Sequence, residues 1–235
     1  MTGWTVDRVA AHIDHTLLDP AATDAQAIDA AQVAVANGCA SLCVAPARVH
    51  AVVRTLGEVA PVVCTVVGFP HGNQTTATKI AEAVEAVGHG ATEFDVVIDR
   101  GLVAAGEWIQ LETQMQMIRE ALPAPLVTKA ILETSALNEK EMLDACLVAR
   151  VAGFDFVKTS TGFDLEKTPH GVVVRGATLD AVRLMVRAVG DTMGVKASGG
   201  IALGDVAVAY LDAGATRIGT SKTEQILADL RAHSV

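Results

Sequence analysis

Strand-like and helix-like segments alternate eight times along this chain, with no linker or shift of composition between them. Short apolar runs at 12–18, 40–46, 61–69, 92–99, 126–133, 154–160, 194–198 and 216–220 read as strands. Amphipathic, alanine-rich stretches at 23–37, 47–57, 75–89, 105–121, 138–151, 178–190, 203–213 and 222–232 read as the helices that follow them. Gly38, Gly90, Gly153 and Gly214 mark helix ends just before the next strand, and Thr23, Asn138 and Thr178 stand where N-caps belong. Eight such units in succession predict an α/β fold, a single closed (β/α)8 TIM barrel over residues 1–235, with a short helix ahead of the first strand. A doubly wound open sheet is the competing arrangement, but no G-x-G-x-x-G opens a helix after the first strand.

Composition narrows the function. The chain is 51% hydrophobic but only 3% aromatic, so its core is built from Val, Ala, Leu and Ile. A formal net charge of −9 opposes nonspecific attraction to nucleic acid, and no Lys/Arg cluster offers a local exception. The N-terminal stretch has no basic start followed by an apolar signal run, and no uncharged apolar run approaches membrane-spanning length. The expectation is a cytoplasmic protein with neither a nucleic-acid nor a membrane partner. Cys39, Cys43, Cys64 and Cys146 form neither a C-x-x-C pair nor a disulfide framework, which suits a reducing compartment. Cys39, Cys64 and Cys146 read as buried structural thiols, whereas Cys43, at a strand end, is placed to line a site. No H-E-x-x-H or clustered His/Asp spacing implies a metal.

Three of the seven lysines lie inside apolar strand-like runs: Lys129 in LVTKAILE, Lys158 in FDFVKTSTG and Lys196 in MGVKASGG. Lysine is almost never buried without a partner, and a desolvated amine that sheds its proton is a nucleophile toward carbonyls. In a barrel, active-site groups sit at the C-terminal strand ends and in the loops beyond them. The polar residues at those places are Asp14, Thr16, Cys43, Asp95, Lys129, Lys158, Lys196, Thr220 and Ser221. Adjacent strands lie about 4.8 Å apart, so Lys158 and Lys196 are expected at roughly 5 Å from each other. Two like charges at that distance repel by about 3 kcal/mol, or roughly two pK units. One of the pair would stay protonated and hold the other neutral, and the residues alone do not say which. The structural alternative is that each pairs with a carboxylate such as Asp95 or Glu133. Asp95 is also suited to relay protons. The Gly199–Gly200 loop and the Gly219–Thr220–Ser221 loop, each opening a helix, are expected at a phosphate, with Thr161 and Gly162 contributing. His71 is expected to be solvated, and His15 to point away from Asp14 and Thr16 by strand alternation.

DHTLL, SLCVAP, VVGFP, EFDVVID, KAILET, FVKTSTGF, VKASGGI and RIGTS, in that order, resemble deoxyribose-phosphate aldolase over roughly residues 12–221. The resemblance implies a metal-free class I aldolase, needing no cofactor, in deoxyribonucleotide catabolism. It would cleave 2-deoxy-D-ribose 5-phosphate reversibly to D-glyceraldehyde 3-phosphate and acetaldehyde. It also implies a homo-oligomer, a dimer. By motif, Lys158 matches the Schiff-base lysine, Lys196 the lysine that perturbs it and Asp95 the proton-relay aspartate. Asp14, Thr16, Cys43, Lys129 and Thr161 match substrate-binding residues; Gly162, Gly199, Gly200, Thr220 and Ser221 match the phosphate surroundings. Some members carry lysine where this chain has Phe163, so less positive charge reaches the phosphate. Some also end in a tyrosine that enters the site, whereas this chain ends RAHSV and its one tyrosine, Tyr210, lies in a helical stretch. Proton transfer is therefore expected to rely on Asp95, Lys196 and water. The alternatives are another lysine-dependent barrel lyase or isomerase acting on a phosphorylated sugar, and a pocket that only senses one.

Overall fold

The computed structural model describes residues 3–59, 61–168 and 171–232. After a short helix α1 (Val6–Ala10), eight strands alternate with helices: β1 (Ile13–Leu17), α2 (Asp24–Ala36), β2 (Ser41–Val44), α3 (Pro46–Leu56), β3 (Val63–Val67), α4 (Thr76–Gly88), β4 (Glu93–Val97), α5 (Arg100–Ala105), α6 (Trp108–Ala121), β5 (Val127–Ile131), α7 (Glu139–Val151) and β6 (Phe156–Lys158). A hairpin of β7 (Leu165–Thr168) and β8 (Gly171–Val174) intervenes before α8 (Leu179–Val189), β9 (Gly194–Ser198), α9 (Gly204–Asp212), β10 (Arg217–Thr220) and α10 (Thr223–Ala232). Strands β1 to β6, β9 and β10 pair in parallel and close into a barrel, while β7 and β8 form a separate antiparallel ribbon.

Local chemistry sets the helix boundaries. Thr23 with Gln26 and Asn138 with Glu141 form reciprocal capping boxes, and Thr178 accepts from the Ala181 N–H. Two expectations are corrected. The helix read over 105–121 is two helices, because Gly106 takes up the left-handed conformation at φ 70° and ends α5. The β7–β8 hairpin fills a stretch to which the strand–helix pattern assigned no element.

The apolar core lies between barrel and helices. Outward strand residues such as Leu42, Phe94, Val96, Ala130, Val157 and Ile218 are buried against helix faces. Alanines 27, 30, 31 and 34 of α2 belong to that layer, their small side chains letting the helix sit close on the sheet. No described helix is long and apolar enough to cross a membrane.

The register fixes what points inward. Pairs such as Cys43 with Cys64, Asp95 with Lys129, Lys158 with Lys196 and Lys196 with Arg217 place their side chains on one face of the sheet. Following the partners around the barrel, the level climbs one residue per strand and returns to Asp14. Four-residue layers result, contributed by alternate strands. The lowest described layer is Ser41, Glu93, Phe156 and Arg217. Above it lie Asp14, Cys64, Lys129 and Lys196, then Cys43, Asp95, Lys158 and Gly219. Branched apolar residues usually fill these positions; here most carry charge or a thiol.

Candidate active site

Asp95 is the hub of the interior. Its Oδ2 lies 2.7 Å from Lys158 Nζ and 2.7 Å from Lys196 Nζ. Its Oδ1 lies 3.0 Å from Lys129 Nζ and accepts a 3.2 Å hydrogen bond from the Cys64 thiol. Lys196 also pairs with Asp14 Oδ2 at 2.6 Å, and Lys129 with Glu93 Oε2 at 2.6 Å. Arg217 closes the circuit below, bonding Asp14 and reaching Glu93 Oε1 at 3.0 Å. Lysine's usual need for a partner is thus met by shared carboxylates. Glu133, the other carboxylate considered for the lysines, accepts instead from the backbone N–H and hydroxyl of Thr161.

A cavity of about 290 Å³ opens above this network at the C-terminal mouth of the barrel. Of the three lysines only Lys158 lines it. Thr16, Thr161, Gly162, Gly199, Thr220 and Ser221 contribute to its wall, as do Ser198 and Phe163. Larger hollows lie elsewhere; one of about 720 Å³ opens between the hairpin and α8, where Arg175 and Arg183 are paired with acidic neighbours. Unlike that hollow, the smaller mouth cavity is lined by a lysine, Lys158.

The sequence matches the DeoC/LacD family aldolase model over residues 8–221. The chain belongs to the DeoC/LacD aldolase family. A deoxyribose-phosphate aldolase of Kocuria rhizophila is 43% identical over 222 residues, covering 94% of this chain and 96% of the relative. One of Nocardia farcinica is 46% identical, covering 93% of each. The solved tetrameric deoxyribose phosphate aldolase of Aeropyrum pernix superimposes with a TM-score of 0.86 at 30% identity, covering 97% of this chain and 93% of that one. A structure described as QR15, an aldolase, gives 0.85 at 34% identity over 96% and 97%.

In this DeoC/LacD aldolase the electrostatics follow from burial against pairing. Burial alone pushes the Asp95 carboxyl up, but Lys129, Lys158 and Lys196 outweigh it and hold the group well below the usual carboxylate range. Asp14 is likewise held down by Lys196, Lys129 and Arg217 against its own burial. Burial pulls the amines of Lys129 and Lys196 down, yet their carboxylate partners raise both above the ordinary lysine value. A hydrogen bond from Cys64 lowers the Cys43 thiol, whereas burial raises Cys64. Cys43, Cys64 and Asp95 bring two sulfurs and an oxygen within 4.8 Å of one another. A metal ion there would compete with Lys129 for Asp95 Oδ1 or with Lys158 and Lys196 for Oδ2.

The expected site residues divide into two tiers. Thr16, Lys158, Thr161, Gly162, Gly199, Thr220 and Ser221 face the cavity. Asp14, Cys43, Asp95, Lys129 and Lys196 are wholly buried beneath it, and Gly200 stands outside the wall. His71 is exposed, and His15 turns outward to bond Thr223 Oγ1 at 2.8 Å. Tyr210 donates to the Ala177 carbonyl at 2.6 Å, away from the cavity. Residues 233–235 of the tail lie outside the described residues. Glu93 and Arg217 were missed, although Glu93 sits two residues along its strand from Asp95, already singled out, and Arg217 two residues from the inward Gly219. Cys64, read as a structural thiol, touches the hub.

Proposed function

We propose that this chain is a class I aldolase that reversibly cleaves 2-deoxy-D-ribose 5-phosphate to D-glyceraldehyde 3-phosphate and acetaldehyde, with Lys158 as the Schiff-base nucleophile. The observation that carries the reading is one carboxylate oxygen, Asp95 Oδ2, at 2.7 Å from the amines of both Lys158 and Lys196, beneath a cavity that only Lys158 enters. The names of the relatives supply the substrate. Position supports Lys158 over Lys196, which is fully buried and paired twice, with Asp14 and Asp95. The inward faces carry four basic groups, Lys129, Lys158, Lys196 and Arg217, against three acidic ones, Asp14, Glu93 and Asp95. That interior balances when one cation is uncharged, and a free amine is of use only where it meets the cavity.

The amine of Lys158 adds to the C1 aldehyde of the open-chain sugar, and the carbinolamine loses water to give an iminium. The C3 hydroxyl then gives up its proton, the C2–C3 bond breaks, and its electron pair moves into the iminium to leave an enamine on Lys158. The C3 fragment departs as glyceraldehyde 3-phosphate. Protonation of the enamine carbon and hydrolysis release acetaldehyde and restore the amine. Asp95, ionised and touching both amines, passes the proton at each stage through water. Lys196, held as a cation, stabilises the carbinolamine oxyanion as it forms. Assembly as a homo-oligomer is part of the reading, supported by the tetramer described for the Aeropyrum pernix relative.

Borohydride trapping with acetaldehyde, followed by peptide mass spectrometry, tests it. The expected result is a reduced two-carbon adduct on the peptide containing Lys158. An adduct on Lys196 alone would keep the aldolase and exchange the lysine roles. No adduct on folded protein that still binds deoxyribose 5-phosphate would remove the aldolase reading.

A further inference from the structure

One buried lysine stands apart from the lumen network. Lys79, on α4, is fully buried, and its Nζ donates to the Val97 carbonyl at the end of β4 and to Gln114 Oε1 of α6, at 2.9 Å each. A methionine would fill the same space without the desolvation cost of an amine, so the worth of the amine lies in what it holds.

What it holds is the loop after β3, residues 68–75. Gly68, at φ 64°, lies against the Lys79 stem: a Cβ added there would come 2.9 Å from Lys79 Cε and 3.3 Å from its Cγ. The Gly68 N–H donates to Glu82 Oε2, one turn further along α4, at 2.7 Å. The loop closes on itself where the Gly72 N–H meets the Gly68 carbonyl at 2.8 Å. The next residue, Phe69, packs against Cys43, Cys64 and Val66, and meets the Phe163 ring edge to face with centroids 5.2 Å apart. Phe163 lines the mouth cavity. A path of contacts thus runs from Lys79 through Gly68 and Phe69 to the cavity wall.

Counting donors gives the amine one more task. A neutral amine has two N–H groups, and two acceptors are in place; an ammonium has a third. The Cβ point above Gly68 also lies 3.2 Å from Gln74 Oε1, a buried oxygen that no described group hydrogen-bonds. A buried acceptor left unpaired costs free energy, and the third ammonium proton satisfies it by tying the loop to α4. The charged groups facing Lys79 are Asp99, the N-cap of α5, and Glu82 of α4 itself; α6 and the loop meet it with the amides of Gln114 and Gln74. Burial brings the Lys79 pKa down to about 8, so both forms occur within an ordinary assay range.

We propose that Lys79 is a positioning residue for the cavity wall: as an ammonium it latches the 68–75 loop through Gln74 and seats Phe69 against Phe163, and as a neutral amine it releases that latch. The proposal rests on the aldolase reading above and adds to it a control on substrate binding from outside the lumen.

The test is KM and kcat for 2-deoxy-D-ribose 5-phosphate at pH 7 and pH 9.5, in wild type, Lys79→Met and Gln74→Leu, with acetaldehyde release as the readout. Dividing each variant's KM by that of wild type at the same pH cancels the titration of the lumen groups, which all three proteins share. The expected KM ratio is about fivefold at pH 7, the size of one net hydrogen bond, falling to about one at pH 9.5, with kcat within about twofold throughout. The double variant should be no worse than either single one, because both remove the same latch. A KM ratio within about twofold of one at pH 7 overturns the proposal, as does a loss confined to kcat. A raised ratio that is the same at both pH values also overturns it, since packing alone would then account for the effect. Should Lys79→Met fail to fold, Gln74→Leu, on the loop, carries the same comparison and the same outcomes. All of these leave the aldolase reading intact. Wild type that cleaves no deoxyribose 5-phosphate would instead bring down the aldolase reading, and this proposal with it.

Discussion

Replacing Asp14 by asparagine removes one anion from the barrel interior while changing little of its shape. Asp14 is fully buried; its Oδ2 holds Lys196 Nζ at 2.6 Å and its Oδ1 holds Arg217. Without that charge Lys196 keeps only the oxygen it shares with Lys158, and Arg217 only Glu93. Removing one partner of a buried pair costs about 3–5 kcal/mol. In a chain of this length each kcal/mol moves the melting temperature by about 2–4 °C, so Asp14→Asn is expected to lower Tm by roughly 6–20 °C at pH 7. The pH dependence has a definite sign. Asp14's folded pKa is depressed, so its contribution is complete above its unfolded value of about 3.9 and is lost as pH falls below it, by about 1.4 kcal/mol per unit. The gap between wild type and variant should therefore shrink by roughly 1 kcal/mol, or about 2–4 °C, between pH 7 and pH 3. Scanning calorimetry of both proteins at both pH values is the assay. A fall of less than about 3 °C at pH 7, or a gap that stays constant or widens on acidification, would refute the reasoning.

Two further outcomes are expected elsewhere. Lys79 of α4 is fully buried, donating to the Val97 carbonyl and to Gln114 Oε1 at 2.9 Å each, and burial pushes its pKa down to about 8 against the pull of Asp99 and Glu82. A folded pKa below the unfolded one costs stability at neutral pH and returns it as pH climbs from about 8 toward 10.4; relative to Lys79→Met, wild type should therefore gain about 1 kcal/mol between pH 8 and pH 9 in urea titrations. Glu133, at φ 56°, clamps the Thr161 loop through that residue's N–H and hydroxyl. Bonds to a charged group are worth about 1.5–3 kcal/mol, so Glu133→Gln should raise KM for the sugar several-fold with kcat within threefold; a loss confined to kcat would mean the loop does not hold substrate.

Much of this architecture was readable before the structure, for a physical reason. A parallel barrel strand is covered on its outer face by helices, so it reads as an apolar run, and a charged residue inside such a run has to point at the lumen. Lys129, Lys158, Lys196 and Asp95 were visible that way. The same alternation extends to Glu93 and Arg217, two residues from Asp95 and Gly219, but the argument was followed only toward the strand ends. Strand spacing gave the closeness of Lys158 and Lys196. The carboxylate beside them was named as well, Asp95, though not that one of its oxygens serves both amines. Cys64 lay in an apolar run broken only by Thr65, and nothing local separates a thiol facing Asp95 from one packed under a helix. The β7–β8 hairpin escaped because its valines stand exposed in a short ribbon, outside any strand–helix alternation.

The lumen circuit also has a direction along the chain. Its acids, Asp14, Glu93 and Asp95, all come from the first four strands, and its bases, Lys129, Lys158, Lys196 and Arg217, all come from the last four of the barrel. Each half-barrel alone is therefore an arc of like charges with nothing to neutralise it, an unfavourable place for folding to pause. Two halves expressed as separate polypeptides would repel their own kind and fit each other, so the seam between β4 and β5 is where this barrel could be cut and still find its way back together.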